Sequence, residues 1–365
     1  MSPEIGFESR EELPAWLAYG APLFTVLAAL SVASVPLLWI GVSPLAAYAE
    51  VFINQLSSIG GIADVLTTAL PLFLAGLAVY VPLKAGLWNI GAEGQLFVGA
   101  VVGSYVGLNV GLPRYALIPL MIAAAGAAAA LYGAIPGYLR AEHDVNEIIS
   151  SLMLTFTATT FTGYLLRGPM QGGGGQTATD RLPEAARLPT VLHPRLHVGV
   201  GVLVIVGLAA YLLLSRTRLG YEITFMGSNP TAAAQSGIST DKIYITVFVV
   251  GGLLAGLAGI IEVAGVHGRL FESFSPGYGF TAVAVALLGR NGVSRVFLAA
   301  FFFGILTAGG TTLAITQNVP SALIDVIVAL TILFLLTAEF FKEYRLRVGW
   351  GDEPGPGADR PEGSA

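Results

Sequence analysis

At 365 residues, with 55% hydrophobic and only 11% charged residues and a mean hydropathy of +0.75, the chain lies far from the soluble average of about 25% charged. That excludes an ordinary water-soluble domain and leaves room for roughly nine or ten membrane spans of about 20 residues each. The absence of cysteine excludes disulfides, thiolate metal sites and cysteine nucleophiles, and the net charge of -5, carried largely by acids near the ends, gives no ground for a nucleic-acid partner.

In chain order, residues 1–12 are acidic and polar, and a charge-free run of 37 residues from Leu13 to Ala49 is too long for a signal-peptide core. The run predicts a retained first helix, roughly Pro14 to Ile40, followed by an interfacial segment from Gly41 to Gly61. Further charge-free runs cover Val65 to Leu83, Gly94 to Pro113, Tyr115 to Leu139, Ile148 to Leu166, Leu196 to Ser215, Ile243 to Ile261, Ser273 to Gly289, Val296 to Ile324 and Val326 to Ala338. Asn318-Val319-Pro320 predicts a turn inside the longest of the later runs. The run from Ser273 is short for a full span. The expectation is an all-α polytopic membrane protein with about ten helices. Its membrane domain covers 13–348, with an outer loop at 168–197, an inner loop at 216–241 and a disordered tail at 349–365.

Between the second and third runs, Lys84-Ala85-Gly86-Leu87-Trp88-Asn89-Ile90-Gly91-Ala92-Glu93-Gly94-Gln95 inserts glycines, amides and an acid. Hydrocarbon admits irregular backbone only where protein buries it or where it lines a wet cavity. The segment therefore points to transport, with Asn89, Glu93 and Gln95 at a helix break near Ala92 as candidate residues of a translocation path. The free amides of a helix beginning there offer a positive dipole end, so Glu93 either caps that helix or meets a hydroxylated solute. Asn146 and Glu147 stand at the start of another span, in a helix-start or a gating role. Asp64, Glu262 and Asp325 lie near span ends, and Asp325 is the deepest; an acid inside a membrane is a functional candidate by default. Gly252, Gly256 and Gly259 form a small-residue face suited to close helix packing.

Threading the helices with the N-terminus inside puts twelve of the 18 Lys and Arg on one face and six on the other, namely Arg114, Arg167, Arg181, Arg187, Arg195 and Arg269. By the positive-inside rule both termini are cytoplasmic. On that inner face, Gly227-Ser228-Asn229-Pro230-Thr231-Ala232-Ala233-Ala234-Gln235-Ser236-Gly237 predicts a short helix: Asn229 suits an N-cap, Pro230 the first turn, and Gly237 the end. His143, His193, His197 and His267 fall in loops without helical ligand spacing, so no metal site is expected. No Gly-x-x-x-x-Gly-Lys-Ser/Thr loop occurs, so ATP phosphates are not cradled by this chain.

Three motifs in this order, Gly86 to Gln95, Val145-Asn146-Glu147-Ile148-Ile149-Ser150-Ser151-Leu152-Met153-Leu154, and Gly227-Ser228-Asn229-Pro230-Thr231-Ala232-Ala233, resemble the permease subunits of ABC importers, the branch serving nucleosides and simple sugars. The resemblance extends over most of the chain apart from the termini and the outer loop. It implies a type II importer fold and localisation in the cell membrane. It also implies a second permease, identical or different, a dimer of cytoplasmic ABC ATPases that binds ATP and Mg²⁺, and an extracytoplasmic substrate-binding lipoprotein. No cofactor belongs to this chain, and its expected solute is a nucleoside, purine first, or a related simple sugar. Gly227, Asn229, Pro230, Ala232, Ala233 and Gly237 match the family's coupling helix, which sits in a groove of the ATPase; Thr224-Phe225-Met226 stands where relatives often carry a basic residue. Two other classes remain open: an ion-coupled secondary transporter, which needs a mid-bilayer ionisable group, and an intramembrane enzyme, which needs a Ser/His, paired-Asp or metal constellation within the spans.

Overall fold

The computed structural model describes residues 4–9 and 15–349, and side chains from 24 to 338. The expected disordered tail lies almost wholly outside the described residues. The helices are α1 (Ala15–Trp39), α2 (Pro44–Tyr48), α3 (Gln55–Ser57), α4 (Ile59–Lys84), α5 (Ala92–Asn109), α6 (Arg114–His143), α7 (Glu147–Arg167), α8 (Gly199–Arg216), α9 (Arg218–Ser228), α10 (Pro230–Gln235), α11 (Thr240–Glu262), α12 (Tyr278–Leu288), α13 (Val293–Gln317) and α14 (Ser321–Glu343). A wide helical turn, Ala49–Asn54, joins α2 to α3, and another, Val263–His267, extends α11. Among the described residues, strands occur only in two antiparallel ribbons outside this all-α body. In one, β1 (Glu4–Ser9) pairs with β4 (Tyr344–Gly349); in the other, β2 (Thr190–Val191) pairs with β3 (His193–His197).

Among the described residues, α4, α6, α7, α8, extended α11, α13 and α14 are long and apolar enough to cross a membrane. The count of about ten is not reached on that measure. The run from Ser273 yields only the 11-residue α12, about 16 Å long at 1.5 Å per residue against a hydrocarbon core of about 30 Å. Its first residues form an irregular turn in which the Ser275 hydroxyl accepts the Gly277 and Tyr278 N–H groups. The turn at Asn318 is present: α13 stops at Gln317, Asn318 takes a left-handed φ of 51°, and α14 begins after Pro320.

Buried on every side from Ala69 to Pro82, α4 is the central helix. It packs against α11, α12 and α13, and α11 packs in turn against α5 and α6. Small residues make these approaches possible. A Cβ on Gly99 would come 2.3 Å from the Cα of Gly256, and one on Gly252 would come 2.2 Å from the Ala129 carbonyl oxygen. Side chains of ordinary size would hold α5, α6 and α11 apart. With no hydrophobic drive between helices in lipid, such close contact supplies their cohesion.

The outer loop is not a free segment. Its backbone amides at Thr179, Leu182 and Leu188 donate to Leu270, Gly268 and Ala264 at 2.8, 2.9 and 3.0 Å, and Arg195 and Arg167 pair with Asp64 and Glu272. His197 closes the loop onto the end of α11 and is 2% exposed. Its Nδ1 accepts the Gly199 N–H at 3.1 Å, and burial lowers its pKa from 6.5 to about 4. Because the folded value lies below the unfolded one, this contribution to stability is complete above pH 6.5 and is lost as the pH falls towards 4. The melting temperature of the purified chain is expected to fall across that window, and His197→Asn, a neutral acceptor, is expected to reduce the fall. Identical pH profiles for the two proteins would contradict this assignment.

Candidate translocation site

The break between α4 and α5 begins with a proline. Pro82 has no N–H to give to the Ala78 carbonyl one turn earlier, so that acceptor is orphaned inside the protein. Asn89, fully buried, fills the gap: its Nδ2 donates to the Ala78 oxygen at 3.1 Å. The same amide exchanges two bonds with Gln95, Nδ2 to Oε1 at 3.0 Å and Nε2 to Oδ1 at 3.1 Å. Gly86, at φ 79°, turns the chain back towards Asn89.

Glu93 joins the start of α5 to the start of α12. Its carboxylate accepts the Gly279 N–H and a hydrogen bond from the Ser275 side chain. The carboxylate thus sits where two helix N-termini converge, and both dipoles favour a negative charge there. A Cβ on Gly279 would lie 2.2 Å from the Glu93 nitrogen, so this junction needs glycine.

Two cavities flank this closed region. The outer one, about 440 Å³, lies between the first turns of α4, the end of α11, the start of α12 and the facing turns of α13 and α14. It carries Glu262, His267, Tyr278 and Asp325 with a set of threonine and serine hydroxyls. Glu262 lies 3.2 Å from His267 Nε2 and 3.4 Å from the Tyr278 hydroxyl. The inner one, about 590 Å³, is bounded by Tyr80, Lys84 and Trp88, by Thr224, Gly227 and Ser228, and by Arg290, Asn291 and Leu336. Its formal charges are basic and those of the outer cavity acidic. Fully buried α4 residues from Ala69 to Val79 lie between them.

Asn89, Glu93 and Gln95 therefore sit at the junction of the broken helices, and none lines either cavity. Asn146 caps α7, accepting from Ile148 and Ile149 at 2.9 and 3.3 Å. Glu147 is buried at the same end, 3.6 Å from the Arg140 Nε. The residues that do line the outer cavity, Thr68, Thr307 and Tyr278 among them, carry no local motif. Of the lining residues, the acids Glu262 and Asp325 stood out in the sequence, Asp325 as the deeper one within an apolar run.

In the loop at 216–241, Asn229 caps α10 by accepting the Ala232 N–H at 2.9 Å, Pro230 opens the helix, and Gly237, at φ 82°, follows its end. Ala232 is half-buried. Ala233, in contrast, is fully buried, turned into the chain's own body. The outward face belongs to Pro230, Thr231, Ala234 and Gln235. Gly227 rests on the end of α4, where a Cβ would lie 2.1 Å from the Lys84 carbonyl oxygen; a Cβ on Gly86 would lie 3.7 Å from the Gly227 Cα. The elbow between α9 and α10 thus abuts the chain segment that opens the break.

Interrupted helices with polar cavities on either side of a closed middle fit a multi-pass membrane transport subunit. Residues 61–336 match the family described as the permease component of the branched-chain amino acid transport system, and the chain belongs to that family. It is 50% identical to the glucose ABC transporter permease protein TsgB13 of Haloferax volcanii, over 96% of this chain and 95% of that one. It is 31% identical to the guanosine ABC transporter permease protein NupP of Bacillus subtilis, over 87% and 92%. It is also 29% identical to the nucleoside ABC transporter permease protein NupB of Lactococcus lactis, over 89% and 92%. The resemblance drawn from the three motifs is borne out.

Removing either amide of the Asn89–Gln95 pair leaves buried partners unsatisfied, at about 1–3 kcal/mol for each group. Asn89→Leu and Gln95→Leu are each expected to lower the thermal stability of the detergent-purified chain, Asn89→Leu more because it also strands the Ala78 carbonyl. The double variant should lose less than the sum of the two. Strict additivity would show that the amides do not act as a pair.

Proposed function

We propose that the chain is the translocating permease of an ATP-driven importer for a neutral monosaccharide or nucleoside. An extracytoplasmic binding protein delivers the solute to the outer cavity. A dimer of separate ATPases, carrying ATP and Mg²⁺, acts on the elbow from the cytoplasm, and a second permease completes the membrane unit. Both termini are cytoplasmic: the β1–β4 ribbon brings the two ends of the chain together, and the arginine and lysine distribution favours that face.

The observation that carries this reading is the packing of the elbow. Gly227 lies against Lys84, both border the inner cavity, and the chain runs from there directly into the break. A push on α10 is therefore delivered to the inner mouth of the path and to the Ala85 to Gly91 segment. The relative named for glucose supports a hexose, and those named for guanosine and nucleosides support a sugar-bearing nucleoside. Ion coupling is the competing reading, favoured by the exposed acid Asp325 in α14.

Reconstitution separates the two. Proteoliposomes holding this chain alone should accumulate neither glucose nor guanosine under an ion gradient; the complex with its ATPase, sister permease and binding protein should accumulate one of them with ATP. Ala234→Glu, on the exposed face of α10, should leave the membrane unit assembled but lower solute-stimulated ATP hydrolysis about tenfold. Gradient-driven uptake by the chain alone, or full coupling in Ala234→Glu, would refute the proposal.

A further inference from the structure

We propose that the outer cavity is itself a selective site for uncharged, polyhydroxylated solute, with Asp325 as its principal acceptor. The inference rests on the transport reading above and adds a binding step within the permease. Its basis is hydrogen-bonding capacity left unused. Hydroxyls in apolar helices usually bond back to a carbonyl of the preceding turn, as Thr311 does to Thr307 at 2.9 Å. Around this cavity, Thr68, Thr307 and Asp325 make no side-chain hydrogen bond or ion pair among the described residues. Three polar groups from three different helices, α4, α13 and α14, converge on one cavity without partners.

Their chemistry selects the ligand. A carboxylate accepts hydrogen bonds from sugar hydroxyls, and the threonines both donate and accept. The ring of Tyr278 adds an apolar surface for the C–H face of a sugar or a flat base. Among the described residues neither Lys nor Arg lines the cavity, whereas two acids, Glu262 and Asp325, do, with His267 held against Glu262. A phosphorylated solute would meet like charge with no counter-ion, and like-charge juxtaposition is an effective means of rejecting wrong ligands. At about 440 Å³ the cavity lies within the range of small-molecule sites, about 300–1,000 Å³.

The test uses the complete complex in proteoliposomes with glucose, guanosine and glucose 6-phosphate. The wild type should take up at least one neutral solute and not the phosphate. Asp325→Asn should raise the KM for that neutral solute about tenfold, the scale of one charge-assisted hydrogen bond, and Thr307→Val should raise it less. Asp325→Lys should abolish neutral uptake. Because Asp325 has no side-chain partner among the described residues, the melting temperature of Asp325→Asn should match the wild type, which separates solute binding from a folding role. An unchanged KM in Asp325→Asn, with the wild type active, would overturn the site while leaving the importer reading intact. Uptake of none of the solutes by the wild type would overturn both.

Discussion

A single side-chain bond, from Asn89 to the carbonyl of Ala78, lets a polar break exist inside this membrane protein. Pro82 frees that carbonyl, and in a medium without water an orphaned backbone acceptor is costly. Asn89 comes from beyond the break and repairs the helix before it, while its partner Gln95 lies in the helix after it. The chain can therefore stop, turn at Gly86 and restart at Ala92 without exposing backbone to lipid. Glu93 uses the new helix start to hold α12, itself only a half-length helix. Two interrupted helices are tied together by their N-termini, and the cavities lie on either side of that junction.

This arrangement divides the molecule mechanically. At their glycines α5, α6 and α11 approach backbone to backbone. In contrast, α4, α12 and α14 border open space at both ends, and α13 borders it at the outer end. The elbow at Gly227 bears on the latter set, at the end of α4. Charge follows the same division, with Glu262 and Asp325 outside and Lys84 and Arg290 inside. On the proposed path a neutral solute would cross both fields without penalty, whereas an anion would be opposed at entry.

Much of this was legible in the sequence because arginine and lysine bound the apolar runs, so the long helices can be located from charge alone. The restart at Ala92, the Asn146 and Asn229 caps and the left-handed Gly237 are local signals, carried by residues within one turn of where they act. Other features depend on distance. The anchoring of the outer loop is one of them, because its amides pair with a segment some 90 residues further on, as in the bond from the Thr179 N–H to the Leu270 carbonyl. The shortness of α12 was hidden because Ser273 to Gly277 carries no charge and so extends an apolar run without being helical. The inward turn of Ala233 could not be inferred from a helix of six residues, PTAAAQ, with almost no contrast between its faces. The pairing of Asn89 with Ala78 needed the fold, although Pro82 already marks which carbonyl would need a donor.

The claim that the elbow moves the inner mouth of the path while the glycine-packed block stays fixed can be measured directly, because the chain has no native cysteine to remove. Spin labels on cysteines introduced at Ser228 and Asn291, both in the lining of the inner cavity, report on that mouth, and a second pair at Tyr105 and Leu253 reports on the exposed sides of α5 and α11. In the assembled complex, double electron–electron resonance should show the first distance changing between the ATP-bound and nucleotide-free states and the second unchanged. A constant first distance during ATP-driven uptake, or a shift in the second, would contradict the account.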